Sequence, residues 1–149
     1  MPRTYTNLLV HVIFSTKQRT RQIDAELSTK LHGYLSGIAK NCGCKPFAVN
    51  GTDDHVHLLV GVKPDTSLSD FVRKLKSSSS KWVHQEQARR RFAWQLGYAG
   101  LSVSKSNASA VCRYIADQER HHKRMTFQQE LIAFLKKHEI EYDERYIWE

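Results

Sequence analysis

His55-Val56-His57 sets two imidazoles two residues apart, and Tyr114-Ile115-Ala116-Asp117-Gln118-Glu119-Arg120-His121-His122 gathers a second polar cluster further along the chain. On a β-strand, alternate side chains share a face, so His55 and His57 project together while Val56 and Leu58 point the opposite way. Neutral imidazole is a good ligand for Mn²⁺ and related ions, but two histidines do not complete a site. A third donor must come from elsewhere, and the second cluster supplies candidates. At helical spacing Tyr114, Gln118 and either His121 or His122 fall on one face or close beside it. A tyrosine hydroxyl attacks a phosphodiester if its oxyanion is stabilised and the phosphate is polarised, the second being work for a metal. Gln118 offers an amide oxygen, Asp117 lies near the same face, and Glu119 points away from Tyr114. The plainer alternative is that one histidine caps a loop, the other sits exposed, and Tyr114 is a core tyrosine beside Ile115.

These groups need elements to hold them. Residues 7–15 read as a first strand. Leu27, Leu31, Leu35 and Ile38 recur at helical spacing between Asp24 and about Lys40, and Gly43 ends that helix. Residues 45–50 and 54–62 read as a hairpin around Gly51-Thr52-Asp53-Asp54. A second helix, capped at Thr66 or Ser67, carries Leu68, Phe71, Val72 and Leu75 and continues through the serines at 77–80 to Trp82 and Val83. Short strands are expected at 91–95 and 101–104, a third helix from Ala108 to His122, a fourth over 127–138, and an aromatic, acidic tail. The order strand–helix–strand–strand–helix–strand is the split βαβ, ferredoxin-like α+β arrangement. Two helices then cover one face of an antiparallel sheet, and the other face is left for substrate or further helix.

With 149 residues, 40% of them hydrophobic, the chain suits one folded domain spanning 1–149. Its formal charge of +8 favours a polyanionic partner, without separating DNA from RNA or an anionic membrane. Apolar runs such as Leu8-Leu9-Val10 are too short to span a bilayer, the beginning lacks a signal-peptide pattern, and a cytoplasmic protein is expected. Cys42, Cys44 and Cys112 form no disulfide framework, and the single residue between the first two argues against a zinc pair, leaving turn and core positions. Arg73 and Lys74 on the second helix, and the run Arg89-Arg90-Arg91 with Phe92 and Trp94 beside it, are candidates for gripping phosphates while the rings stack on exposed bases. A solvated charged face is the competing explanation. The serine run is open to phosphate contact or to small-residue packing.

The ensemble resembles the IS200/IS605-type transposases, including the REP-associated tyrosine transposases, of the HUH endonuclease superfamily. The resemblance is carried by His55-Val56-His57 and Tyr114-Ile115-x-x-Gln118-x-x-His121-His122. Supporting context comes from Val10-x-x-x-Phe14-x-Thr16-Lys17, Trp94-Gln95-x-Gly97-Tyr98, Ser102-Val103-Ser104 and Tyr142-Asp143-Glu144-Arg145-Tyr146. It implies a single-stranded DNA endonuclease and strand transferase in which Tyr114 forms a 5′-phosphotyrosine and frees a 3′-hydroxyl. It also implies that His55, His57 and Gln118 hold one Mg²⁺ or Mn²⁺, with His121 or His122 supporting the helix or a DNA phosphate. Homodimers that recognise DNA hairpins are implied as well, with the tyrosine helix of one subunit able to complete the site of the other. His11 either approaches the site or packs in the core; His84 and His138 have no assigned role. The rivals are an inactive relative that still binds hairpins, an RNA-binding ferredoxin-like domain, and a metallohydrolase that activates water and forms no tyrosine adduct.

Overall fold

The computed structural model describes residues 3–149. Its sheet comprises β1 (Leu9–Ser15), β2 (Lys45–Gly51), β3 (His55–Gly61) and β4 (Ala99–Val103) in the order β2-β3-β1-β4, with every pairing antiparallel. Helices α1 (Ala25–Asn41) and α2 (Leu68–Glu86) are the crossovers. This is the ferredoxin-like arrangement expected from the order of elements.

Alternation along the two central strands divides the molecule. Val12 and Phe14 of β1 and Val56, Leu58 and Val60 of β3 face α1 and α2, meeting Leu31 and Leu75 among others. The interleaved residues turn to the opposite face, where His11, His55 and His57 are all buried. That second face is covered by further helix: α3 (Ala108–Ala116), α4 (Gln118–His121) and α5 (Phe127–Lys137). Ile115 of α3 packs on Leu9 and Leu59, while Phe127, Leu131 and Leu135 of α5 pack on Ile13 and Leu101. Tyr142, Ile147 and Trp148 of the tail join the α5 cluster.

Side-chain caps mark where α1, α2 and α5 begin. The Asp24 carboxylate accepts from Leu27 N, and Ser67 Oγ, rather than Thr66, accepts from Asp70 N. Thr126 and Gln129 form a reciprocal capping box at the start of α5. Gly51 is required where the hairpin tightens, because a Cβ there would lie 2.1 Å from the carbonyl oxygen of His55.

Three expectations need correction. The helix expected over 108–122 breaks at Asp117 (φ −100°, ψ 19°), separating α3 from α4. Asn50 Nδ2 donates to the carbonyls of Ile115 (3.0 Å) and Ala116 (3.1 Å), taking acceptors that a continuous helix would use. Residues 91–95 form no strand; one bridge, Thr16 to Trp94, marks where they run beside the end of β1. Phe92 and Trp94 do not face bases, because both are core residues, with Trp94 edge-on to Phe14 at 4.8 Å and its indole N–H donated to Ser79 Oγ. The serine run therefore contributes packing at Ser79. Trp94→Ala should cost about 3–5 kcal/mol of stability. Urea unfolding checks this, and a loss below about 1 kcal/mol would return the ring to the surface role.

Candidate metal and nucleophile site

The buried site lies between the sheet and the helices α3–α5. β3 brings His55 and His57 to the same face, as alternation predicts, and both are fully buried. His55 Nδ1 donates to the Asp54 carboxylate at 2.7 Å and lies 2.9 Å from Thr52 Oγ1, so the hairpin turn fixes the ring and directs Nε2 inward. His57 Nδ1 is held by His11 Nε2 at 2.8 Å, which settles His11 as part of the site. The Gln118 amide oxygen lies 3.2 Å from His55 Nε2. The break at Asp117 leaves Gln118 buried at the start of α4, while Asp117 and Glu119 are exposed. Tyr114 and Gln118 thus reach histidines of their own chain.

At the centre is Glu130 of α5, which is 2% exposed. Its Oε1 lies 2.9 Å from His57 Nε2, 3.0 Å from His122 Nε2 and 3.4 Å from His55 Nε2. Its Oε2 accepts from the Tyr114 hydroxyl and, at 3.3 Å, from the Gln118 amide. His121 Nε2 lies 3.0 Å from the Tyr114 oxygen. His121 and His122 therefore have separate roles, one beside the tyrosine and the other in the histidine cluster.

The charges follow from the contacts. Burial favours neutral Glu130, but His122, His55 and His57 outweigh it and hold the carboxyl far below the usual carboxylate range. Burial also opposes charge on His55, yet Asp54 and Glu130 raise its pKa to about 9. Burial dominates at His57, lowering it to about 4, and at His11, lowered to about 3 with the neighbouring His57 adding to the effect. Burial and then Glu130 push the Tyr114 hydroxyl well above its ordinary value, so it rests protonated.

These shifts predict how stability without metal depends on pH. Folded His55 keeps a proton that the unfolded chain loses near 6.5, so its contribution is full below about 6.5 and gone above about 9. His57 and His11 act in reverse, their contribution being full above about 6.5 and lost as pH falls toward 4 and 3. Melting in EDTA should therefore peak near pH 6.5, with up to about 3 kcal/mol lost on the alkaline side through His55. A melting temperature flat from pH 6.5 to 9 would contradict the assigned protonation.

Ligand atoms of His55, His57, His122 and Glu130 all lie within 4.8 Å of one another. Four such donors gathered this closely would be able to hold one divalent cation. Imidazole with carboxylate or amide oxygen suits Mn²⁺, and Mg²⁺ less well. His122 and Glu130 lie with the expected His55, His57 and Gln118 at this cluster. Glu130 escaped the sequence reading because it lies outside the tyrosine cluster, although Thr126-x-x-Gln129 before the apolar spacing of α5 signals the helix that aims it.

The predicted basic residues divide differently. Arg73 and Lys74 are exposed on α2, on the opposite side of the sheet, and Arg73 pairs with Asp70 at 2.9 Å. Arg89 is tied to Asp24 at 2.6 Å, whereas Arg90 and Arg91 are exposed. Arg21 joins the arginine run in lining one cleft. It also lines, with Arg19, Asp54 and His122, a cleft of about 390 Å³ that reaches the site. No helix among the described residues is long and apolar enough to cross a membrane.

Comparison with known proteins gives a consistent result. The ISDra2 transposase TnpA of Deinococcus radiodurans is 29% identical over 114 residues, covering 72% of this chain and 81% of that protein. The transposase of insertion sequence element IS200 from Salmonella typhimurium is 25% identical over 124 residues, covering 79% and 81%. A crystal structure from Deinococcus radiodurans R1, assigned as a transposase, superposes with a TM-score of 0.66 at 27% identity, covering 79% of this chain and 95% of that one. A REP-associated tyrosine transposase bound to a REP hairpin shares the fold, with a TM-score of 0.61 at 14% identity over 82% of this chain and 73% of that one. The family model described as "Transposase IS200 like" matches residues 4–118, from before β1 through Gln118. The chain belongs to the IS200-like transposase family of HUH endonucleases, which act on single-stranded DNA.

Proposed function

We propose that this protein is a metal-dependent single-stranded DNA endonuclease and strand transferase, with Tyr114 as nucleophile and His55, His57 and Gln118 as metal ligands. One observation carries the reading: the Tyr114 hydroxyl and three inward-facing histidine nitrogens meet the same buried carboxylate. A tyrosine placed only for packing has no need of that junction. When bound, Mg²⁺ or Mn²⁺ would polarise the scissile phosphate.

Tyr114 is protonated at rest, so its attack requires an acceptor; Glu130, held far below the usual carboxylate range, orients the hydroxyl, while His121 Nε2 lies 3.0 Å from the same oxygen. As the Tyr114 oxygen bonds to phosphorus, its proton passes to His121 and the bond from phosphorus to the 3′-oxygen breaks. That oxygen leaves as a hydroxyl after taking up a proton from solvent. The resulting 5′-phosphotyrosine retains the energy of the broken ester, and attack by another 3′-hydroxyl rejoins strands and restores Tyr114.

The proposed substrate is DNA carrying hairpin or palindromic ends, consistent with the REP hairpin in the related structure. Arg90 and Arg91 in one cleft, and Arg21 shared between it and the cleft that includes His122, are placed to hold phosphates, with Arg89 contributing if its pair with Asp24 opens. Arg73 and Lys74 would engage a hairpin stem only if it wrapped around the α2 side. Tyr114, His55, His57 and Gln118 meet within one chain, which supports assembly of the site in cis. The homodimer implied by the resemblance would bring two sites to two DNA ends.

Incubation with labelled single-stranded hairpins and Mn²⁺, followed by denaturing electrophoresis, tests the reading. The expected product is a protein–DNA adduct together with a shortened strand bearing a 3′-hydroxyl. Cleavage without an adduct would instead indicate water activation by a metallohydrolase.

A further inference from the structure

The geometry points to Glu130 as an additional ligand of the metal centre, bonding through Oε1 while Oε2 holds the Tyr114 hydroxyl. The inference rests on the metal-centre reading above and extends it to a residue beyond the 4–118 segment that matches the family. The capping box fixes where α5 begins, and Phe127, Leu131 and Leu135 dock it on Ile13 and Leu101. With those residues inward, Glu130 lies over the histidines rather than in solvent.

A carboxylate buried to this extent is stabilised by close opposite charges or hydrogen bonds. Among the described residues Glu130 has no lysine or arginine partner; its partners are His55, His57, His122, Tyr114, Gln118 and, at 3.6 Å, His121. Three imidazole nitrogens converging on one carboxylate oxygen form a donor set that needs only exchange of protons for a cation. A residue serving only to hold α5 against the sheet would not require this convergence, because the apolar contacts already do so. The second oxygen gives the arrangement its specific consequence: the same side chain that bonds the cation sets the position of the tyrosine.

Mn²⁺ binding, followed by electron paramagnetic resonance of the free ion, separates this role from simple packing. Wild type, Glu130→Gln, Glu130→Asp and His57→Ala would be titrated without DNA, and each checked for folding by thermal melting in EDTA. Glu130→Gln keeps the shape of the side chain and one acceptor oxygen, and is expected to bind at least tenfold more weakly while melting cooperatively. Glu130→Asp should fall between it and wild type. His57→Ala should lose binding. If Glu130→Gln binds within twofold of wild type while His57→Ala does not bind, Glu130 is no ligand and the histidine centre stands. If wild type binds no Mn²⁺, the metal-centre reading fails and this inference with it.

Discussion

Tyr114→Phe should abolish the covalent adduct and reduce strand cleavage by at least about 10⁴-fold, the scale seen when a nucleophile is removed from an enzyme. The substitution deletes one oxygen and keeps the ring, so the edge-on contacts with Phe134 at 5.5 Å and His57 at 6.0 Å remain. Glu130 retains its histidine and Gln118 partners, so the variant should fold, with a stability change of about 1 kcal/mol. Hairpin affinity should change little, because the lost hydroxyl is not part of the basic surface. Gel shift and denaturing electrophoresis on the same samples separate the two effects. A folded Tyr114→Phe protein that still forms the adduct would assign the nucleophile elsewhere.

His57→Ala should produce the second largest loss. His57 connects two parts of the site, with His11 on Nδ1 and Glu130 on Nε2. Removing it takes away a metal donor and leaves two buried polar groups each short of a partner. Cleavage at limiting Mn²⁺ should fall by about 10²-fold or more, given that even changes behind the ligands cost 10–100-fold. Stability should fall by about 3 kcal/mol, because buried Glu130 and His11 are each left short of a hydrogen bond. Excess Mn²⁺ should restore only part of the rate. Full activity at limiting metal would remove His57 from the metal site.

Much of this was legible because local patterns coincide with the fold. The period of two across His55-Val56-His57-Leu58 set the orientation of the histidines, and it holds because Val56 and Leu58 bury against α1 and α2. The helical spacing from Leu27 to Ile38 and the turn at Gly51–Asp54 likewise placed the first crossover and the hairpin. The contacts that escaped prediction join residues far apart in sequence. Asn50 ends α3 from 65 residues away, and Glu130 meets His57 across 73 residues. Neither pairing leaves a periodic trace. Phe92 and Trp94 beside three arginines resembled an aromatic–basic binding surface, but the backbone turns both rings into the core while the neighbouring Arg90 and Arg91 remain outside. Nor does helical spacing foretell that the polar residues after Tyr114 divide at Asp117, leaving His121 beside the phenol and His122 in the histidine–Glu130 cluster.

The most direct test of the central claim is to locate the adducted residue. Wild-type protein would be reacted with a single-stranded hairpin substrate and Mn²⁺, treated with nuclease and trypsin, and its peptides sequenced by mass spectrometry. Cleavage after Arg113 and Arg120 isolates Tyr114 in the short peptide running from Tyr114 to Arg120. The account predicts a 5′-linked nucleotide on Tyr114 in that peptide alone. A nucleotide on any other residue, or efficient strand cleavage with that peptide unmodified, would contradict it.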